Sequence, residues 1–375
     1  MTTWDDLGAR ALARQLPADV VPPADPAQVA AALRRTGAIQ SQTARSTFLG
    51  MAARFPGVTH AAITDAFEAG AILRGSTLRG TVHTVAAEDH PLHEAVTRMA
   101  RRRDVARVLR PQRFTVDELW SELESYAASE PRTADDLHTH LAAWVGGRDG
   151  RDPDEVRASI GRSLSYTHGG LVRRPLSGGW EGQGRAGYTT SVAPERGRRL
   201  TDPDVVADLV RAHLTAHGPA SRQDLAWWAG VTLGTVDAAL ERLSLDGEEG
   251  PDGRVYVDLP DAPPAVADTG VRLLPEFDAF MCAYEPSSRT RFADPAHHGR
   301  LWNQANATVL PPLLVDGRIT GYWRAMGSAR RRPLEVTWFA RTRRPRKGDL
   351  DAPVAAVEAA LGITITDVTL TREAV

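Results

Sequence analysis

The chain has one cysteine, Cys282, and one lysine, Lys347, among its 375 residues. A lone cysteine has no internal partner, which excludes an intrachain disulfide and any cysteine-cluster metal site. The lone lysine leaves Schiff-base chemistry a single amine, in a basic loop near the C-terminus. No run approaches 18 apolar residues, so no membrane-spanning helix is expected. The opening MTTWDDLGAR is acidic and lacks an apolar signal core, which points to a cytoplasmic address. The close histidine pairs His90/His93, His138/His140 and His297/His298 lack the spaced third ligand that zinc needs, so neither metal nor cofactor is expected. GSTLRG and GGWEGQG lack the lysine and strand-to-helix setting of a phosphate loop, and no G-x-S-x-G elbow occurs.

What is present in excess is arginine. Lysine and arginine together number 45 against 47 acidic residues, for a net charge of -2. Bulk charge therefore announces no nucleic-acid binder, but charge sorted onto one face escapes that count. Arginine's planar five-donor fork suits phosphate better than a lysine point charge does. A hydrophobic fraction of 42% over this length supports two to four domains with real cores.

The organisation repeats. In DPDVVADLVRAHLTAHGPASRQDLAWWAGVTLGTVDAALERLSL, apolar residues recur at helical spacing through Val205, Leu209 and Leu214, then stop at Gly218-Pro219. Ser221 is placed to cap a short helix with Asp224 at its third position, and Thr232 starts another that buries Val236, Leu240 and Leu243. An acidic glycine turn follows, then RVYVDL alternates like an edge strand. Helix, short helix, turn, longer helix and strand is the layout of a winged helix-turn-helix.

FTVDELWSELESYAASEPRTADDLHTHLAAWV predicts a helix, a break and a short capped helix, and PDEVRASIGRSLSYTHGG a longer one. LVRRPLSGGWEGQGRAGYTT predicts two strands around a glycine-rich loop holding Trp180. A third, less regular version opens the chain, with helices over roughly 4–16 and 27–37 and a strand pair in AILRGSTLRGTVHTV. Beyond 260 come short apolar segments and one helix, VAAVEAALG, which fit a small β-barrel or curled sheet. The expected architecture is α+β: winged-helix units at 1–95, 96–195 and 196–260, then a β-barrel-like domain at 261–375.

Gln40 and Gln42 flank Ser41 in TGAIQSQTAR, within the first unit. If this stretch is extended, both glutamines project the same way. A carboxamide pair can hold a water by its oxygens and bind a substrate through its amides, but it is no strong general base. Such a pair suits a reaction whose leaving group is already activated. Two ordinary surface glutamines are the alternative.

TGAIQSQT, LRGTVHTVAAED, GPASRQDLAWWAG and LLPEFDAFMCAYEPSSRTRF together resemble the winged-helix DNA glycosylases of the AlkZ type, from about residue 5 to about residue 345. The glutamine-x-glutamine motif favours that branch over a related one carrying glutamine-x-aspartate. The resemblance implies a monofunctional glycosylase that hydrolyses the N-glycosidic bond of N7-alkylguanine in double-stranded DNA. The family's founding activity releases both ends of an azinomycin B interstrand crosslink. The units would then form a curved scaffold embracing the duplex. Gln40 and Gln42 would be catalytic. His83 would be a phosphate or lesion-proximal contact, or a structural histidine tying the wing; Arg79 a phosphate contact or a surface ion-pair residue. EPSSRTRF resembles a hairpin set against the minor groove, where Arg289 and Arg291 would grip phosphate or enter the groove. Phe292 is expected in the core. No obligate protein partner is expected, and a monomer is the default. The competing reading is a non-catalytic DNA-binding regulator, weakened because TLGTVDAALERLSL carries only Arg242 against two acids.

Overall fold

The computed structural model describes residues 2–17, 20–191, 204–265, 269–303 and 308–373. Four helices begin on the same device, a Ser or Thr cap whose hydroxyl and third-residue carboxylate satisfy each other's backbone amides. These are Trp4–Gln15, Val116–Ala128, Ala134–Asp149 and Arg222–Ala229. Mixed helix and sheet is the result, with 15 strands in four sheets among the described residues.

The first sheet decides where the glutamines lie. Its strands are β1 (Ile39–Gln40), β2 (Ile72–Ser76), β3 (Val82–Ala86), β4 (Leu171–Pro175) and β5 (Ala186–Thr190), in the order β1-β3-β2-β4-β5. The strand pair expected in the opening segment and the pair around the Trp180 loop are thus one continuous sheet. The two halves meet at Gly75 and Val172. Glycine suits that join, where a Cβ on Gly75 would lie a tight 3.0 Å from the Leu171 carbonyl oxygen. The boundary expected at residue 95 falls inside a 20-residue helix, His90–Leu109.

Helix lengths in the middle of the chain are the reverse of those expected. Ala134–Asp149 is the long helix and Pro153–Ser159 the short one, because Ile160 turns extended and Arg162–Ser165 tightens into a 3-10 turn. Further on, helices Val205–His217, Arg222–Ala229 and Leu233–Leu243 pack beside three short strands, β6 (Ala220–Ser221), β7 (Gly247–Glu249) and β8 (Val255–Val257). β8, expected at an edge, is central: the acidic turn before it is itself β7 and covers its outer side.

The short hairpin β10 (Trp302–Asn303) and β11 (Thr308–Val309) follows β9 (Val271–Leu273) in the chain. β9 itself forms an open half-barrel with β12 (Pro312–Val315), β13 (Arg318–Ala325), β14 (Arg331–Trp338) and β15 (Thr364–Arg372), ordered β15-β14-β13-β12-β9. β14 and β15 run parallel, and helix Asp351–Leu361 makes the crossover between them. That helix packs on helix Ser46–Arg54, burying Phe48, Leu49 and Ala52 against Ala356, Val357 and Ala360. Among the described residues no helix is long and apolar enough to cross a membrane.

Candidate active site

Gln40 ends β1 opposite His83 of β3, so the two side chains share a face. Gln40 is 8% exposed, and its buried carboxamide oxygen has no hydrogen-bond partner among the described residues. A buried acceptor left unsatisfied is costly, and calls for a donor from outside the fold. The strand stops there and the chain bends, so Gln42 is exposed. Its Oε1 accepts the Val82 amide at 3.2 Å, which pins the side chain over β3 while its amide hydrogens meet no acceptor among the described residues. The two glutamines therefore occupy different environments, one inside and one at the surface.

Ser41, between them, faces inward. Its hydroxyl joins those of Thr47 (2.9 Å) and Thr84 (2.8 Å), and these two lie 2.7 Å from each other, closing a buried triangle. The Ser41 hydroxyl also lies 2.9 Å from the Ile39 carbonyl, and its amide donates to Val82 at 2.7 Å. The turn that carries both glutamines is thus fixed from beneath.

Beside Gln42 is a cavity of about 20 Å³ lined by Ser41, Arg74, Arg173, Arg174, Gln183 and Arg185. That is room for about one water, which needs roughly 10–15 Å³, and far below ligand pockets of roughly 300 Å³ upward. Gly182 and Gln183 of the glycine-rich loop also border a cleft of about 700 Å³ that runs past Thr43, Arg45 and His60 to Arg330 and Arg332. Four arginines at the small cavity make it cationic despite the net charge of the chain. Burial, then the charge of Arg173, lowers the Arg74 guanidinium to about 9.

His83 is a buried strand residue whose Nδ1 lies 3.0 Å from the Thr81 carbonyl. Burial, then the Arg79 charge, takes it to about 3, so its ring is neutral at pH 7. Arg79 sits at φ 57° in the turn between β2 and β3, lies over the Trp227 ring, and donates to the Trp228 carbonyl at 2.7 Å. That ties the turn to helix Arg222–Ala229.

The segment EPSSRTRF is not a hairpin: Pro286–Arg291 is a 3-10 helix, capped by the Glu285 carboxylate. Arg291 is a correction. Its guanidinium is fully buried, donating to Ser288 O, Pro219 O and Asp224 Oδ2 at 3.0, 2.9 and 3.2 Å and lying over Tyr284. No face remains for a phosphate. Arg289 is buried too, its charge 4.0 Å from the Trp302 ring centroid and 5.4 Å from that of Trp227. Phe292 lies in the core.

Sequence reasoning missed Arg74, Arg173, Arg174 and Arg185. The signal was present in LVRRPLSGGWEGQGR, where basic residues flank a glycine-rich loop, but only sheet pairing brings them to Gln42. Among the described residues no group of three His, Cys, Asp or Glu is placed to hold a metal ion.

A family model described as DNA glycosylase AlkZ-like matches residues 33–361. The solved structure of Streptomyces sahachiroi DNA glycosylase AlkZ is similar at a TM-score of 0.77 and 20% identity, over 99% of this chain and 100% of that one. No curated protein matches.

Proposed function

Because the chain belongs to the AlkZ-like family of DNA glycosylases, we propose that Gln40 and Gln42 position the water that releases an N7-alkylated guanine from double-stranded DNA. We extend this to bulky natural-product adducts, the azinomycin B crosslink included, and to a scaffold of three winged-helix units and a barrel-like domain curved around the duplex. The observation that carries the reading is the buried, partnerless oxygen of Gln40, next in sequence but one to a glutamine held over β3 at a one-water cavity.

The chemistry fits the side chains. Alkylation at N7 places positive charge on the purine, so the base leaves with the glycosidic electron pair and becomes neutral without an acid. The sugar carbon takes on oxocarbenium character, a water oxygen bonds to it, and the water's spare proton passes to solvent, leaving an abasic site. Carboxamide oxygens orient such a water but need not ionise. His83, neutral at pH 7, is no proton donor to the leaving base. The arginines at the cavity suit backbone phosphate flanking the lesion. The small space at Gln42 favours reaction at an open cleft over extrusion of the base into a deep pocket, which a crosslinked base could not enter.

Duplex DNA carrying one N7-methylguanine tests this, with base release and DNA binding followed for wild type, Gln40→Ala and Gln42→Ala. The expected result is release by wild type and a loss of about 100-fold or more in either variant while binding persists. Release undiminished in both variants would remove the pair from catalysis.

A further inference from the structure

Arg74 lines the small cavity, yet its guanidinium is turned to groups of the protein itself. It stands on β2 with Thr84 as its cross-strand partner and is 5% exposed. Nη1 donates to the Trp180 carbonyl at 2.8 Å. Nη2 donates to the Ala44 carbonyl at 3.0 Å and reaches the Thr47 hydroxyl at 3.4 Å. Among the described residues no carboxylate forms an ion pair with it. Its charge is met by carbonyl dipoles and by the faces of Phe67 (4.8 Å) and Trp180 (5.7 Å).

The groups that Arg74 joins belong to two different segments. Trp180 belongs to the glycine-rich loop, and its ring is fixed from the other side. It stacks on Phe67 with centroids 4.2 Å apart, and its Nε1 donates to Glu68 at 2.6 Å. Ala44 belongs to the turn that follows Gln42, and Thr47, in the first turn of helix Ser46–Arg54, is one corner of the hydroxyl triangle under Ser41. A continuous hydrogen-bonded path therefore runs from the loop through Arg74 to the glutamine turn. Burying a guanidinium without a carboxylate is costly, and a neutral side chain could not bind three oxygens on two segments at once.

We propose that Arg74 is a positioning residue for base release, holding the glycine-rich loop 176–185 in one register with the glutamine turn and the start of helix Ser46–Arg54 through Trp180, Ala44 and Thr47. The proposal rests on the reading that Gln40 and Gln42 form the active site. The loop brings Arg185 and Gln183 to the cavity, so its register sets where the DNA backbone lies relative to Gln42. Misplacement by about 1 Å is enough to lose on the order of 100-fold in rate.

The test uses the full chain, single-turnover base release at saturating protein on N7-methylguanine duplex, and binding to the same duplex. Arg74→Met is expected to lower the saturated rate about 10- to 100-fold and to leave binding within about threefold, since Arg173, Arg174 and Arg185 remain. Arg74→Lys, which cannot span both segments, should recover part of the rate. Thr47→Val should lower the saturated rate and Thr47→Ser should restore it; this pair decides the matter if Arg74→Met does not fold. A folded Arg74→Met with the wild-type rate overturns the proposal, as does a rate loss fully accounted for by weaker binding, or Thr47→Val releasing base as wild type does. Gln42→Ala separates the two readings. If it releases base normally, the active-site assignment fails; if it does not and Arg74→Met does, only the positioning role fails.

Discussion

At the scale of single residues, burial decides which arginines can meet DNA. Arg291 and Asp224 are both fully buried, and Asp224 also completes the cap of helix Arg222–Ala229 and accepts the Glu285 amide. Arg291→Ala would strand that carboxylate. The expected loss is about 3–5 kcal/mol of stability, read as a lower urea midpoint, and an unchanged midpoint would return Arg291 to the surface. The sequence could not reveal this. EPSSRTRF looks like an exposed basic segment, and the acid that draws Arg291 inward lies far away in a stretch legible only as a capping box. By contrast the motif Gln40-Ser41-Gln42 was visible at once, and so was the neutral, weakly basic nature of its chemistry. What spacing could not supply was that β1 ends at Gln40, which puts one glutamine inside and the other out.

At the scale of elements, local signals located helices well and ranked them poorly. Caps such as Ser221 and Thr232 start helices where expected, because a cap is a contact within four residues. Strand neighbours are long-range, so alternation alone makes β8 an edge strand and says nothing of the join of β2 to β4. The glycine-rich loop on β4 and β5 shows how tightly such an element is drawn. A Cβ on Gly184 would lie 1.9 Å from the Ser177 carbonyl oxygen, so Gly184→Ala must open the loop. The change is expected to reduce base release on N7-methylguanine duplex severalfold, with a stability loss of about 0.5–3 kcal/mol because Trp180 of the same loop packs in a core with Phe67. Normal release by this variant would show that the loop need not be closed.

At the scale of the whole molecule, the interior holds neutral histidines in several places. Burial, first among the causes, takes His83, His93 and His217 to about 3 and His213 well below its usual value. An unfolded chain protonates these rings near 6.5, while the folded one does not. Below that pH the unfolded state binds more protons, so stability falls as pH falls, by up to about 1.4 kcal/mol per unit for each histidine. The carboxylates whose values are lowered, such as Asp6 and Glu118, act only below their ordinary range near 4 and leave the window from pH 6.5 to 5 to the histidines. Denaturant midpoints should therefore drop clearly between pH 7 and pH 5. A flat profile there would mean that these rings reach solvent in the native state.

The packing of helix Asp351–Leu361 on helix Ser46–Arg54 has a temporal side. Ribosomes deliver the chain from its N-terminus, and early elements fold as they emerge. The glutamine turn is made early, but part of the apolar flank of the helix behind it, at Leu49, stays uncovered until residues 351–361 supply Val357. A nascent chain that still lacks residues 351–361 therefore carries the Gln40-Ser41-Gln42 turn on an unfinished support. The support beneath the glutamines is complete only once residues 351–361 have joined it.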